Sequence, residues 1–426
     1  MYVADSRANT PGAPASADGA VRPLAGRRRA VVAPTVLALG TVSLVTDVSS
    51  EMVTAVLPLY LVTGLGLSPL GFGLLDGIYN GFSALVRLAG GHLADRGGGR
   101  HKWVAGFGYG ISALCKPLLL VAHSLTPIGL ILAADRTGKG LRTAPRDALI
   151  SLSSTPETRG RAFGVHRAMD TAGALLGPLV AFLILRATVD GYDAVFTVSF
   201  CVAGFGVLVL VLFVPGGGRR AGDATGDEAR PTLRAAVGLL RRRDLRRITA
   251  CALLLGLATV SDSFVYLLLQ RRLGVPDRWF ALLPLGTAAA FLLLAIPLGR
   301  LADRVGRWAV FLAGHGALLV AYTLLLTSWH GAALPYLVLA LHGGFYAATD
   351  GVLMAAASQG VPEALRSSGL AVVQTGQALA RFACSLLFGA AWTVWGDRAA
   401  LVGAAVALAG CAAFSLTLRP KGTVTA

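Results

Sequence analysis

Along the 426 residues, apolar runs of about twenty recur between short breaks of glycine, proline and arginine. A helix needs about 20 apolar residues to cross a hydrocarbon layer about 30 Å thick. The pattern supplies twelve such runs: 34–63, 70–93, 103–123, 126–152, 161–186, 193–214, 246–270, 279–299, 307–328, 333–358, 366–394 and 398–418. The expected fold is an all-α integral membrane protein of 12 transmembrane helices. A polar, basic stretch at 215–245 divides the spans into two sets of six, 34–214 and 246–418. The first part of that stretch, GGGRRAGDATGDEARPT, reads as a flexible linker. The second, LRAAVGLLRRRDLRR, reads either as a basic amphipathic helix on an anionic leaflet or as plain stop-transfer charge. Residues 1–33 are rich in Ala, Pro, Arg and Gly and are expected to form a disordered basic tail, with 419–426 a short C-terminal one. The first span is too long for a cleavable leader.

Composition narrows the class further. The chain is 55% hydrophobic and 14% charged, against about 25% charge in a soluble domain, which excludes an ordinary soluble enzyme. Cys115, Cys201, Cys251, Cys384 and Cys411 all lie in apolar runs without a CxxC pair, so they read as core residues rather than metal ligands or bridges. No P-loop, GxSxG or HExxH appears; neither an enzyme nor a cofactor or metal site is expected. The net charge of +16 follows the topology. Twenty-five Lys and Arg fall in the termini and the loops on their side; only Arg186, Arg271, Arg272, Arg278 and Arg398 fall on the other. Basic loops stay in the cytoplasm. Both termini are therefore expected there, in the cell membrane, with the basic excess meeting anionic lipid rather than nucleic acid.

The two halves repeat each other. Gly91-His-Leu-Ala-Asp95-Arg96-Gly-Gly98-Gly-Arg100 follows the second run, and Gly299-Arg-Leu-Ala-Asp303-Arg304-Val-Gly306-Arg307 follows the eighth, 208 residues later. Two pseudo-symmetric six-helix bundles rocking about a central site are a transporter design. The GxLADRxGR turns resemble the signature loop of the major facilitator superfamily. Arg136-Thr-Gly-Lys-Gly140 resembles its RxxxG motif of proton-coupled members. Gly164, Gly173, Gly177 and Pro178, with Ala181 where a further glycine is usual, resemble its antiporter-type motif. Asp135 to Asp147 is similar to a subgroup of bacterial and archaeal members. The resemblance implies a monomeric transporter of a small-molecule substrate, coupled to protons. A carboxylate is favoured at a helix N-terminus, so at the cytoplasmic gate Asp95 is expected to meet the start of span eleven at Arg366-Ser367-Ser368, and Asp303 to meet Gly160-Arg161.

Sixteen charges fall inside the spans, thirteen of them in the first half. At about 3 kcal/mol each they would cost on the order of 50 kcal/mol facing lipid, so they are expected to pair or to line water. Asp135, Lys139, Arg142 and Arg146 recur at i, i+4, i+7 and i+11 and share one helix face. Asp47 and Glu51 are expected to pair with Arg136 at the central cavity, with Asp47 as proton carrier and Glu51 or Asp170 as alternatives. Asp147 is expected to join the gate near Arg96 and Arg100. In the second half, Asp262, Tyr266, Asp350, Gln374, Gln377 and Arg381 form a milder surface suited to an amphipathic or weakly polar solute. The leading expectation is a proton-driven exporter of small organic molecules. An uptake symporter or facilitator of an anionic solute, drawn by Lys139 and Arg142, stays open.

Overall fold

The computed structural model describes residues 33–96, 101–155, 158–189, 191–216, 238, 241, 243–329, 331–359 and 366–417. The expected N-terminal tail up to residue 32, most of the expected linker and the residues from 418 onward lie outside these. The first half contains α1 (Pro34–Leu59), α2 (Pro69–Arg96), α3 (His101–Val121), α4 (Leu125–Leu152), α5 (Arg159–Ala187) and α6 (Gly191–Phe213). The second half contains α7 (Arg243–Ala258), α8 (Asp262–Leu273), the short α9 (Asp277–Phe280), α10 (Leu283–Val305), α11 (Arg307–Leu326), α12 (Leu334–Gln359) and α13 (Arg366–Thr417). Among the described residues, nine helical stretches are long and apolar enough to cross a membrane. Helix α4 is as long, at 28 residues, but carries six charged side chains.

Three breaks show how local chemistry shapes this frame. The apolar run 34–63 is helical to Leu59 and ends in one wide π turn, Tyr60–Gly64. The last helix is divided by Gly396, whose φ of 84° is outside the helical range; glycine takes that conformation without a Cβ clash. The expected continuous span 246–270 is a correction: it is interrupted at Thr259-Val260-Ser261, between α7 and α8. Ser, Thr and Asp side chains compete with helical backbone bonding, and this segment reads Thr-Val-Ser-Asp-Ser. The freed Val260 N–H is met by the Tyr322 hydroxyl at 2.8 Å. Non-helical backbone at membrane depth persists only where protein or a water-filled cavity covers it.

Helix α1 packs on α5 and α6, α3 on α4 and α6, and α2 on α4. In the second half α12 packs on α10 and α11, and α7 on α13. The halves meet chiefly along α2 and α13. There Gly73 lies against the Ser385 backbone and Gly389, while Gly77 and Gly81 lie against Phe382. Small residues allow this closeness. Aromatic rings extend the seam: Phe72 on Phe264 and Phe264 on Phe388, each at 4.9 Å, and Phe182 on Trp279 at 5.1 Å. All of these lie toward the face that carries residues 65–68, 188–189 and 274–276, so the halves are closed on that face.

Candidate functional site

Between the halves, below the aromatic seam, lies a cavity of about 460 Å³. The first half contributes Glu51 and Thr54 from α1, Tyr79 and Asn80 from α2, and Arg136 and Lys139 from α4. The second half contributes the broken segment Thr259–Ser263, Tyr266, Thr287, Tyr346, Asp350 and Arg381. Of the sequence-derived candidates, Glu51, Arg136, Lys139, Asp262, Tyr266, Asp350 and Arg381 thus share one cavity. Asp47, Asp135, Arg142, Asp170, Gln374 and Gln377 are not among its lining residues. Gln374 instead reaches the Met354 sulfur at 3.8 Å.

The ionic contacts form a ladder, with the cations mostly on α4 and the acids mostly on α1 and α5. At its deepest rung the Asp135 carboxylate holds Lys116 Nζ on one oxygen and Arg136 Nη2 on the other, both at 2.7 Å and all nearly buried. The Arg136 guanidinium lies 3.7 Å from the centre of the Tyr79 ring, and the Tyr79 hydroxyl is hydrogen-bonded to Thr54. One rung on, Lys139 faces Glu51 at 3.9 Å, with the two side chains 36% and 27% exposed. Next, Arg142 meets Asp47 at 3.5 Å and lies over Tyr109. Last, Arg146 reaches Asp170 at 3.7 Å, Asp147 at 3.1 Å and the Ser43 hydroxyl at 3.3 Å. His166 is hydrogen-bonded to that same Ser43 at 2.9 Å.

Glu51 and Arg136 share the cavity wall, but the closest ion pairs differ from the expected Asp47/Glu51–Arg136 cluster. Arg136 is held by its neighbour Asp135, and the α1 acids meet Lys139 and Arg142 instead. The α4 cations succeed one another at three- and four-residue steps, so each sits one turn below the last and matches the four-residue spacing of Asp47 and Glu51.

The second half has its own network. Asp262, at the first turn of α8, accepts a hydrogen bond from the Tyr346 hydroxyl, and His342 Nε2 lies 3.4 Å away. Arg381 faces Asp350 at 3.9 Å, and Tyr266 donates to Thr287 at 2.9 Å. Sequence reasoning missed Tyr79, and it placed His342 on the second-half surface only as an ordinary bundle residue. Only the helix packing brings Tyr79 under Arg136 and His342 beside Asp262.

The antiporter-type glycines divide. A Cβ at Gly173 would overlap the Leu44 backbone, and one at Gly177 would lie 2.9 Å from the Val48 carbonyl oxygen, so both fix α5 against α1. Gly164 has open space around it. Pro178 is buried beside Gly177. At the expected gate, Gly91, Asp95 and Arg96 have no described side chains, and Gly98 and Arg100 lie outside the described residues, as do the Arg366 and Ser367 side chains. Asp303 is exposed and pairs with Arg307 at 3.4 Å, at the turn that follows α10. Arg304 is exposed, Gly299 has open space, and Gly306 ends α10 at φ 98°.

A polar cavity at the interface of two helical bundles, closed at one end, fits the architecture of a secondary transporter. Residues 39–385 match the Major Facilitator Superfamily, and the chain belongs to that family of multi-pass membrane proteins. An uncharacterized MFS-type transporter of Methanocaldococcus jannaschii is 29% identical over 378 residues, which span 87% of this chain and 91% of that one. The multidrug resistance protein MdtH of Photorhabdus laumondii is 30% identical over 169 residues, 38% of this chain and 40% of its own. Among solved structures, a bacterial homologue of the human lysosomal transporter Spinster, inward-facing and unoccupied, superposes with a TM-score of 0.73 at 16% identity. That match covers 90% of this chain and 96% of the other. The nucleoside transporter NupG superposes at 0.76 and 13% identity, covering 90% and 98%. At these identities the structural likeness speaks for the fold alone.

Proposed function

We propose that this protein is a proton-coupled exporter of small organic molecules that works by alternating access. In this reading it has twelve spans in two six-helix bundles, both termini lie in the cytoplasm of a plasma-membrane monomer, and the cavity faces the cytoplasm in this conformation. The observation that carries it is the Glu51–Lys139 pair on the cavity wall: at 3.9 Å and about one-third exposed, it is loose enough for water or substrate to separate. Glu51, with Asp47 and Arg142 one turn away, forms the coupling set. A carboxylate held by a nearby cation loses that support when the cation moves as the halves rock. The proton it then takes up is released once the pair re-forms. Asp170, with Arg146 beside it, is the third member. Asp262, Tyr346, Asp350 and Arg381 present acid, hydroxyl and cation across from it, which suits a polar or amphipathic solute.

The test compares accumulation of a panel of small organic compounds in cells with and without the protein, before and after the proton gradient is collapsed. Lower accumulation that returns to the control level on collapse is expected. Gradient-driven accumulation would replace export with uptake, the reading favoured by the partly exposed Lys139 ammonium if the solute is anionic. Within the coupling set, Glu51→Gln is expected to lose gradient dependence, and an unchanged dependence would remove Glu51 from it.

A further inference from the structure

Eight acids lie within the membrane region, and seven have a basic side chain within 4 Å. Among the described residues the eighth, Asp76, has none. It is 5% exposed, two turns into α2 from Pro69, or about 10 Å along the helix. What it does have is a partner in the other half of the molecule: Ser385 of α13 donates a hydrogen bond to Asp76 Oδ2 at 2.6 Å. This bond sits within the glycine-lined seam where α2 and α13 close one end of the cavity. The titratable groups that face Asp76 are Asp262 on α8 and Cys384 on α13. Neither supplies a positive charge.

Closing protein over a carboxylate that has no cation is costly, whereas closing it over the neutral acid is not. We propose that Asp76 is a proton-binding site of the transport cycle: the α2–α13 seam closes over the carboxylic acid and opens over the carboxylate. When the seam parts, Asp76 loses Ser385 and meets water on that face, where hydronium delivers a proton to the carboxylate oxygen. After closure the proton leaves on the cavity side. A crevice of about 20 Å³ lined by Asp76 also has Thr54, Tyr79 and Ser263 in its walls, and those three line the main cavity. That is room for one water, which accepts the proton from the acid and passes it to cavity water, leaving the carboxylate. Seam opening and proton exchange with the far side thus become one event. This inference rests on the proton-coupled reading above, and assigns one of its protons to the gate rather than to the cavity wall.

The test reads the gate directly and needs no substrate. Spin labels are placed on the exposed Val189 and Arg278, at the closed face in opposite halves, in a Cys201→Ala background reconstituted in liposomes. Distance distributions are recorded from pH 5 to pH 8. Acid is expected to raise the ratio of closed to open molecules, by up to about tenfold per pH unit for one linked proton. Asp76→Asn, which cannot ionise, is expected to stay closed across the range. Ser385→Ala, which keeps the acid, is expected to shift the midpoint and keep the response, a second readout if the asparagine variant folds poorly. A wild-type response that persists in Asp76→Asn overturns the assignment. If that response also disappears in Glu51→Gln, the proton-coupled reading survives with its proton at Glu51. A wild-type gate indifferent to pH, or moved by sodium instead, overturns both.

Discussion

Asp135 shows what a membrane charge needs in order to be tolerated. Its two oxygens are divided between Lys116 and Arg136, and Arg136 gains the face of Tyr79 besides. Removing the acid strands two buried cations, and breaking such a pair from one side costs about 3–5 kcal/mol. Asp135→Ala is therefore expected to lower the thermal unfolding temperature of the purified protein sharply or to abolish its folded yield. Lys139→Gln offers the contrast. Its pair with Glu51 is longer and partly exposed, so its loss should change stability by less than about 1 kcal/mol. In the proposed cycle its effect is expected on gradient-driven flux instead. Equal destabilisation by the two variants would mean that Glu51 and Lys139 are a structural pair and not a coupling one.

Between helices, the decisive feature is how close a backbone comes. Gly173 and Gly177 touch the α1 backbone around Leu44 and Val48, while Gly164 touches nothing, although all three belong to one sequence motif. Overpacking a tight contact costs about 1–3 kcal/mol. Gly173→Val should destabilise by that order in thermal unfolding, and Gly164→Ala should leave the unfolding temperature within experimental scatter. A motif acting as a unit would show the two costing the same. The break between α7 and α8 belongs to this scale as well. It sets Asp262 at a helix start inside the cavity, where Tyr346 and His342 converge on it, an arrangement that a continuous helix over 246–270 would rotate away.

For the molecule as a whole, the contacts that matter join the halves. A Cβ at Gly73 would run into the Ser385 backbone, and in the proposed cycle these atoms separate when that face opens. Gly73→Val should therefore penalise one conformation rather than the fold. The expectation is about tenfold faster labelling of a cysteine at Ser263 by an impermeant maleimide added on the closed face, since 1–3 kcal/mol corresponds to roughly 5–150-fold. Thermal unfolding should change little. Unchanged labelling would show that the seam is not the barrier on that face.

Much of this was readable from the chain before any coordinates. Apolar run length located α1 to α6 and most of the later helices, because crossing lipid admits few alternatives to a helix of about twenty residues. The duplicated turns pointed to two related halves, and the cost of ionised groups in lipid required the α4 charges to face inward. The identity of the partners was not readable. Helical spacing put Arg136 near Asp47 and Glu51, but an angle around one helix says nothing about the rotation of its neighbour. Only the packing of α1, α3 and α4 gave Arg136 to Asp135, Lys139 to Glu51 and Arg142 to Asp47. Tertiary structure alone also joined Asp76 to Ser385, 309 residues apart. Hydropathy registers how much of a helix avoids water; it carries no record of which side chain across the interface answers each charge.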